Sequence, residues 1–304
     1  MQENEEVAVV MSTYNGEKWI KEQLDSIINQ TYKNIKIFVR DDGSKDGTVN
    51  ILKEYANKGL IILEEGKNIG YIKSFFKVLE NAKGFKYYAF CDQDDIWMEF
   101  KIERAVENLN KKDNNKVLMY FSDYDYYDGE MNFKEHFKGW KKGPSFRNSI
   151  VDAITLGTCS VINENARKII LENGSEDICS HDWWTYFVCA GLGDVIYDKI
   201  ATIKYRRHGN NVSACGKSFI KLQIYRIKNF IFGDYFKMVK LQILKFDKCF
   251  YKELSEKNKK LLSLFTNKKY NLKIALKKVF YPKMFRQNII DEIMLRFMFL
   301  IGKI

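Results

Sequence analysis

Between Val7 and Leu109, short apolar runs alternate four times with helical repeats, and that alternation leaves few folds open. Val7–Met11, Ile35–Val39, Leu60–Leu63 and Tyr87–Cys91 read as buried strands. Between and after them, helices are marked by Ile20, Leu24, Ile27 and Ile28, by Val49, Leu52, Tyr55 and Ala56, by Ile72, Phe75, Phe76 and Leu79, and by Ile102, Ala105, Val106 and Leu109. Strand–helix–strand order with short connections predicts an α/β fold, its parallel sheet covered on both faces. In such sheets, ligands bind beyond the carboxyl ends of the strands. Three of those ends are polar here: Ser12-Thr13-Tyr14, Arg40-Asp41-Asp42 and Asp92-Gln93-Asp94-Asp95. They are expected to converge on one crevice.

The 304 residues are 46% apolar and 29% charged, enough to bury a sizeable core, which excludes wholesale disorder. No run approaches the ~20 apolar residues of a spanning helix. Met1–Glu6 is acidic where a signal peptide is basic and then apolar. The expectation is a cytoplasmic protein without a membrane span.

From Val117 to Gly143 the pattern shifts to short strands and an irregular loop rich in Tyr, Phe and Asp. Gly157–Ile162 reads as a further strand, Glu164–Leu171 and His181–Ala190 as helices, and Ile203–His208 as the close of an acidic body. Gly216–Ile304 is different: 21 Lys+Arg face 6 Asp+Glu, a balance of +15, which leaves −4 for residues 1–215 out of the net +11. Phe236, Val239, Ile243, Phe246 and Phe250 recur there at heptad-like spacing, as do Ile289, Ile290, Ile293, Met294, Phe297 and Met298. The expected division is therefore 1–215 as the body and 216–304 as a basic amphipathic helical region. The six cysteines show no C-x-x-C pair and no metal-ligand rhythm with the three histidines, so free, mostly buried thiols are expected.

Asp92-Gln93-Asp94-Asp95 places three carboxylates within four residues, and their repulsion calls for compensation. A divalent cation with hard oxygen ligands, Mg²⁺ or Mn²⁺, is one answer; a solvated acidic turn capping the next helix is the other. Asp41-Asp42-Gly43-Ser44-Lys45-Asp46-Gly47-Thr48 puts more carboxylates at a second strand end. There one carboxylate suits the N3–H of a uracil or thymine base, and Asp46, Gly47 and Thr48 suit a tight turn with a helix cap. Asn68-Ile69-Gly70 precedes a helix whose N-terminus faces phosphate in many folds, or else marks a turn. Neither G-x-x-x-x-G-K-[ST] nor G-x-G-x-x-G is present.

Val9–Gly16, Asp41–Thr48, Asn68–Gly70 and Cys91–Trp97 resemble, in order and spacing, the motifs of family 2 glycosyltransferases of the GT-A fold. His181-Asp182-Trp183-Trp184 and Tyr205–Asn211 are similar to the rhamnosyltransferase branch of that family. The resemblance spans about residues 5–215. It implies donor-binding roles for Ser12, Tyr14, Asp42, Asn68, Gly70, Asp92 and Arg207, with Ser12 and Tyr14 lining the base pocket and Asp92 toward the ribose and sugar. It implies metal ligation by Asp94 and by His208, and a catalytic base at Asp182. The family has Glu-Asp where this chain has His181-Asp182. Read without the resemblance, Asp182 is first a helix cap, and His208 is equally a hydrogen-bonded histidine at a strand end.

The resemblance implies an inverting, metal-dependent transfer of a sugar, rhamnose from dTDP-rhamnose in the first instance, onto a bacterial cell-surface polysaccharide or lipid-linked glycan. A UDP-hexose transferase is the alternative within enzymes; a non-catalytic glycan-binding or assembly subunit is the alternative outside them. The basic tail suits an anionic membrane surface, with Phe236, Ile243, Phe250, Ile293 and Phe297 as apolar anchors and attachment to the inner face of the plasma membrane. The same stripe suits a homodimer or packing onto the body. No nucleic-acid recognition motif accompanies the charge, so nucleic acid is not an expected partner.

Overall fold

Val7–Thr13 (β1) is buried at six of its seven residues. An uninterrupted run of β-branched and apolar side chains tolerates that position because both faces of a central parallel strand are covered. Its neighbours are Ile35–Asp41 (β2) and Tyr87–Cys91 (β4), both parallel to it, and Ile62–Glu65 (β3) lies parallel to β2 at the sheet edge. Ile20–Ile28 (α1), Thr48–Asn57 (α2) and Tyr71–Asn81 (α3) make the crossovers, each burying one apolar stripe. The expected parallel arrangement is present in this half. The third strand begins at Ile62, two residues later than its apolar run, where its pairing with β2 starts opposite Phe38.

The computed structural model describes residues 5–209, 233–267 and 269–304. Among them, nine strands form one sheet with the order β3-β2-β1-β4-β8-β6-β9-β5. Here β5 is Ile96–Trp97, β6 Leu118–Tyr127, β8 Ser160–Asn163 and β9 Asp194–Arg206; Phe133–His136 (β7) pairs with β6. Pairing turns antiparallel on both sides of β8, while β6 and β9 run parallel. Lys101–Asn110 (α4) and Glu164–Glu172 (α6) complete this part. Gly157–Cys159 is a 3₁₀ turn rather than the start of a strand. β9 begins at Asp194, well before its apolar end, and its first seven residues are half-buried or exposed and carry Asp194, Asp198 and Lys199 among apolar side chains.

The chain divides into two compact units: Met1–Gly139, Thr155–Ser175 and Gly193–His208 form one, and Trp140–Ile154, Glu176–Leu192 and Gly209–Ile304 the other. The sheet belongs to the first unit. In the second, Phe146–Ser149 (α5), His181–Leu192 (α7) and Tyr235–Phe250 (α8) share an aromatic core. Phe187 and Phe246 stack at 4.0 Å, and a Cβ on Gly191 would come within 2.6 Å of the Phe246 ring. Phe236, Ile243 and Phe250 are buried in this core. This corrects the reading of them as membrane or dimer contacts: heptad-like spacing satisfies any apolar partner, and α7 is that partner. Ile293 and Phe297 are exposed.

The expected boundary between Cys215 and Gly216, and Asn210 and Asn211 of the last motif, lie outside the described residues. Among the described residues, five cysteines are unpaired and three of them buried.

Candidate functional site

The carboxyl ends of β1, β2 and β4 are joined by side-chain hydrogen bonds into one framework within the first unit. At the end of β1, Ser12 Oγ donates to Ser74 Oγ (2.6 Å). Arg40, buried at the end of β2, donates to the same Ser74 Oγ (2.9 Å), to Asp42 Oδ1 (2.6 Å) and to the Lys67 carbonyl (3.1 Å). Asp42, only 2% exposed, accepts in addition from the backbone N–H of Ile69 (2.9 Å) and of Gly70 (2.9 Å). Its carboxylate thus ties the Asn68–Gly70 loop to β2. A carboxylate has about four acceptor positions, and three are used. Gly70 takes φ 83°, which glycine adopts without strain, and directly precedes α3.

Asp41 holds the neighbouring turn. It accepts from Thr13 Oγ1 (3.0 Å), from the N–H of Gly43 (3.1 Å) and Ser44 (2.8 Å), and from Ser44 Oγ (2.5 Å). Tyr14, 42% exposed, is fixed through its backbone: its N–H donates to Gln93 Oε1 (2.8 Å), and its carbonyl accepts from Gln93 Nε2 (3.0 Å). The Gln93 amide lies so close to Gly16 that a Cβ there would meet Oε1 at 2.4 Å. The chain ends beyond β1 and β4 are therefore locked together by one amide.

The acidic run divides its labour. Asp92 is partly buried at the end of β4. Asp95 is buried, accepts from the Arg206 N–H (3.0 Å), and has its carboxyl pushed well above the usual range by burial and then by Asp94 and Asp92. Arg206 Nε donates to the Asp94 carbonyl (2.8 Å), and its other nitrogens reach the Gly129 carbonyl (2.9 Å) and Glu22. Asp94 Oδ2 lies 2.9 Å from His208 Nε2, and the His208 ring stacks on Trp19 at 3.9 Å. Arg207 ion-pairs with Glu135 (3.2 Å) and covers the Tyr126 ring at 3.1 Å.

Among the described residues, no three His, Cys, Asp or Glu side chains form a ready-made metal cage. What the chain offers is one carboxylate oxygen and one imidazole nitrogen side by side. Mg²⁺ and Mn²⁺ in nucleotide sites take one or two protein ligands and complete their shell with phosphate and water, and imidazole is a better ligand for Mn²⁺ than for Mg²⁺. The donor set fits such an ion.

Asp182 stands in the second unit, in the first turn of α7. Its Oδ1 accepts from the Trp183 N–H (2.8 Å) and from Ser180 Oγ. His181 is buried, and burial lowers its basicity while Asp182 opposes the change. Trp183 and Trp184 are buried too, Trp183 donating to the Ser149 carbonyl (2.8 Å), so both serve packing. His136 bonds Asp125 at 2.9 Å.

Sequence reasoning missed Arg40, Gln93, Arg206 and Trp19. Arg40 and Gln93 sit inside the polar strand ends already singled out, and an arginine beside paired carboxylates is itself a signal. Arg206 and Arg207 differ only by strand parity, which fixes which of two adjacent side chains turns inward. Trp19 carries no comparable signal.

The model of the family described as glycosyl transferase family 2 matches residues 8–173. A dTDP-rhamnosyl transferase, RfbG, of Shigella flexneri is 33% identical over 227 residues, 69% of this chain and 75% of that protein. Among solved structures, S. aureus TarS 1-349 in complex with UDP-GlcNAc aligns with a TM-score of 0.60 at 18% identity, over 91% of this chain and 76% of that one. The mannosyltransferase PcManGT of Pyrobaculum calidifontis, in complex with GDP-Man and Mn²⁺, aligns with a TM-score of 0.51 at 15% identity, over 99% and 86%. These two likenesses bear on the fold, which is the GT-A arrangement. With the family model covering more than half of its length, the chain belongs to glycosyl transferase family 2.

Proposed function

We propose that this glycosyltransferase is an inverting rhamnosyltransferase that uses dTDP-rhamnose and extends a bacterial cell-surface polysaccharide or lipid-linked glycan. The observation that carries the reading is the framework joining three strand ends, with the Asp94–His208 pair beside it; the likeness to the Shigella enzyme supports the donor. In the proposed arrangement Ser12 and Tyr14 line the base pocket, and the remaining acceptor position of Asp42 takes the base N3–H. Asn68 and Gly70, ahead of α3, lie toward the diphosphate. Asp92 binds toward the ribose and sugar, and Arg207 moves from Glu135 to the departing phosphate.

The acceptor hydroxyl oxygen bonds to the anomeric carbon as the bond from that carbon to the diphosphate oxygen breaks. The hydroxyl proton passes to Asp182, which we assign as general base. Negative charge gathers on the leaving diphosphate, and cationic side chains placed there stabilise it. A bound Mg²⁺ or Mn²⁺, for which Asp94 and His208 would be the protein ligands, supplies Lewis-acid stabilisation of the same charge. The acceptor's lipid places the enzyme on the cytoplasmic face of the plasma membrane, attached through residues 216–304. Among the described residues no helix is long and apolar enough to cross a membrane.

The test is a panel of dTDP-, UDP- and GDP-sugars with Mn²⁺, read by thermal shift and by nucleotide release. A ligand at about 100 times its Kd adds about 2.7 kcal/mol of stability, so the true donor separates from the rest. dTDP-rhamnose is expected to lead. UDP-hexoses leading would replace the donor, and no response to any sugar nucleotide would return the chain to a non-catalytic role.

A further inference from the structure

The helix Ile289–Leu300 is apolar on both sides. Leu295, Met298 and Phe299 are buried in the second unit, whereas Ile289, Ile290, Ile293, Phe297, Leu300 and the following Ile301 are exposed, Ile293 to 62%. At about 100° per residue the exposed six fall within about 120° of one another, opposite the buried three. A helix apolar all round is ordinarily interior; this one shows half of itself to solvent. The helix before it, Leu272–Val279, exposes Leu272 and Leu276, and Phe280 beyond it is 76% exposed. The two helices are tied by Arg296 donating to the Tyr281 carbonyl (3.1 Å) and Tyr270 Oη to the Leu300 carbonyl (2.8 Å). The apolar arc is therefore carried on a fixed hairpin.

Charge selects the occupant. Among the described residues from Lys269 to Ile304, every exposed charged side chain is a lysine: Lys269, Lys273, Lys277, Lys283 and Lys303. Neither acid of this stretch is among the exposed charges, Glu292 being buried and Asp291 half-buried. Glu292 is buried and accepts from the N–H groups of Phe285 and Arg286 (2.8 Å each) and from Arg296 (2.7 Å), and Asp291 pairs with the Asn288 side chain (2.6 Å). A second copy of this face would set lysines against lysines with no exposed carboxylate between them. An anionic leaflet satisfies both parts at once, lysines among headgroups and apolar side chains at the acyl boundary. Twelve residues make a helix of about 18 Å against a hydrocarbon core of about 30 Å, so it lies in the plane rather than across.

We propose that this helical hairpin is the membrane-docking face of the protein and that its partner is an anionic phospholipid bilayer surface. The proposal rests on the membrane reading above and narrows it from 89 residues of tail to one arc of one helix and its flanking lysines.

The test is co-sedimentation of the full chain with phosphatidylglycerol–phosphatidylcholine vesicles and with pure phosphatidylcholine vesicles. Wild type should bind the first and release at high salt as the Debye length shrinks. Ile293→Ser combined with Phe297→Ser should bind at least tenfold more weakly, with unchanged circular dichroism and melting. Lys273→Glu with Lys277→Glu should also bind at least tenfold more weakly, which keeps the test open if the first pair fails to fold. Wild-type binding to anionic vesicles that both variants retain would overturn the docking face and leave the membrane reading standing. Failure of wild type to bind would overturn both. Self-association of wild type that the first pair abolishes, with vesicle binding intact, would assign the face to a second copy instead.

Discussion

His208 Nε2 lies 2.9 Å from Asp94 Oδ2 although β8 and β6 separate the strands that precede them, β4 and β9. The short strand β5 closes that gap. It begins two residues after Asp94 and pairs antiparallel with β9, Ile96 opposite Lys204 and Trp97 opposite Ile203, so the acidic loop is carried to the residues after β9. Stacking on Trp19 then fixes the plane of the imidazole.

This pairing yields a prediction about metal. His208→Ala is expected to weaken Mn²⁺-assisted nucleotide binding by about 10–100-fold, the loss seen when even an outer partner of a metal site is removed, and Asp94→Asn by at least as much. Titration calorimetry of dTDP with and without Mn²⁺ measures it. Equal affinity for dTDP in both variants and in wild type with Mn²⁺ present would make the pair a structural contact.

Arg40 and Asp42 supply a second. Both are almost wholly buried, and Asp42 neutralises the guanidinium at 2.6 Å. Removing one partner of a buried pair costs about 3–5 kcal/mol, because the other charge stays behind. Asp42→Asn should therefore destabilise the fold by about 3 kcal/mol in urea unfolding and loosen the Asn68–Gly70 loop, read as faster amide exchange at Ile69 and Gly70. A change under about 0.5 kcal/mol would show that Arg40 is compensated elsewhere.

Much of this arrangement is legible in the sequence, and the reason is local. Apolar runs such as Val7–Met11 and Tyr87–Cys91 declare buried strands, and polar residues at their ends have one place to go. The strand β6 is less legible, because its alternating Tyr and Asp residues suit an exposed strand. It is buried along its first eight residues, and its polar side chains are satisfied by pairs no sequence window contains, such as Ser122 Oγ with Thr202 Oγ1 (2.7 Å) and Tyr197 Oη donating to Asp123 (2.7 Å). Arg207 and Arg206 fail in the same way, since which one turns inward depends on the register of β9. The stripe Phe236–Phe250 shows a further limit: spacing reveals that a face is apolar and leaves open what covers it.

Asp182 heads α7, where a carboxylate favours the helix whether or not it does chemistry. Asp182→Asn separates the two roles, because asparagine is nearly isosteric and keeps the side-chain oxygen that accepts from the Trp183 N–H. Melting and donor binding should hold while turnover falls by about 10²–10⁴-fold, the range for lost general-base catalysis. Turnover within twofold of wild type would leave Asp182 a cap.

Lys101 gives the last prediction, and it concerns pH. The side chain is fully buried behind the acidic loop, with Nζ 4.6 Å from the centre of the Trp97 ring. Burial pulls its pKa down to about 8, opposed by Cys159, Cys91 and Asp95. In the unfolded chain the amine titrates near its ordinary 10.5. Between these values the unfolded state holds more protons, so unfolding free energy rises with pH from about 8 upward. Below that range the folded state carries the full penalty of a buried charge, on the order of 3 kcal/mol at about 1.4 kcal/mol per unit. Lys101→Met keeps the unbranched stem and removes the charge. It should be more stable than wild type at pH 7, by less than that penalty since the contact with Trp97 is lost, and the advantage should shrink by pH 10. Urea unfolding of both proteins at the two pH values measures the difference directly. An advantage that is the same at both would mean that Lys101 keeps its proton on folding and that burial leaves its pKa unmoved.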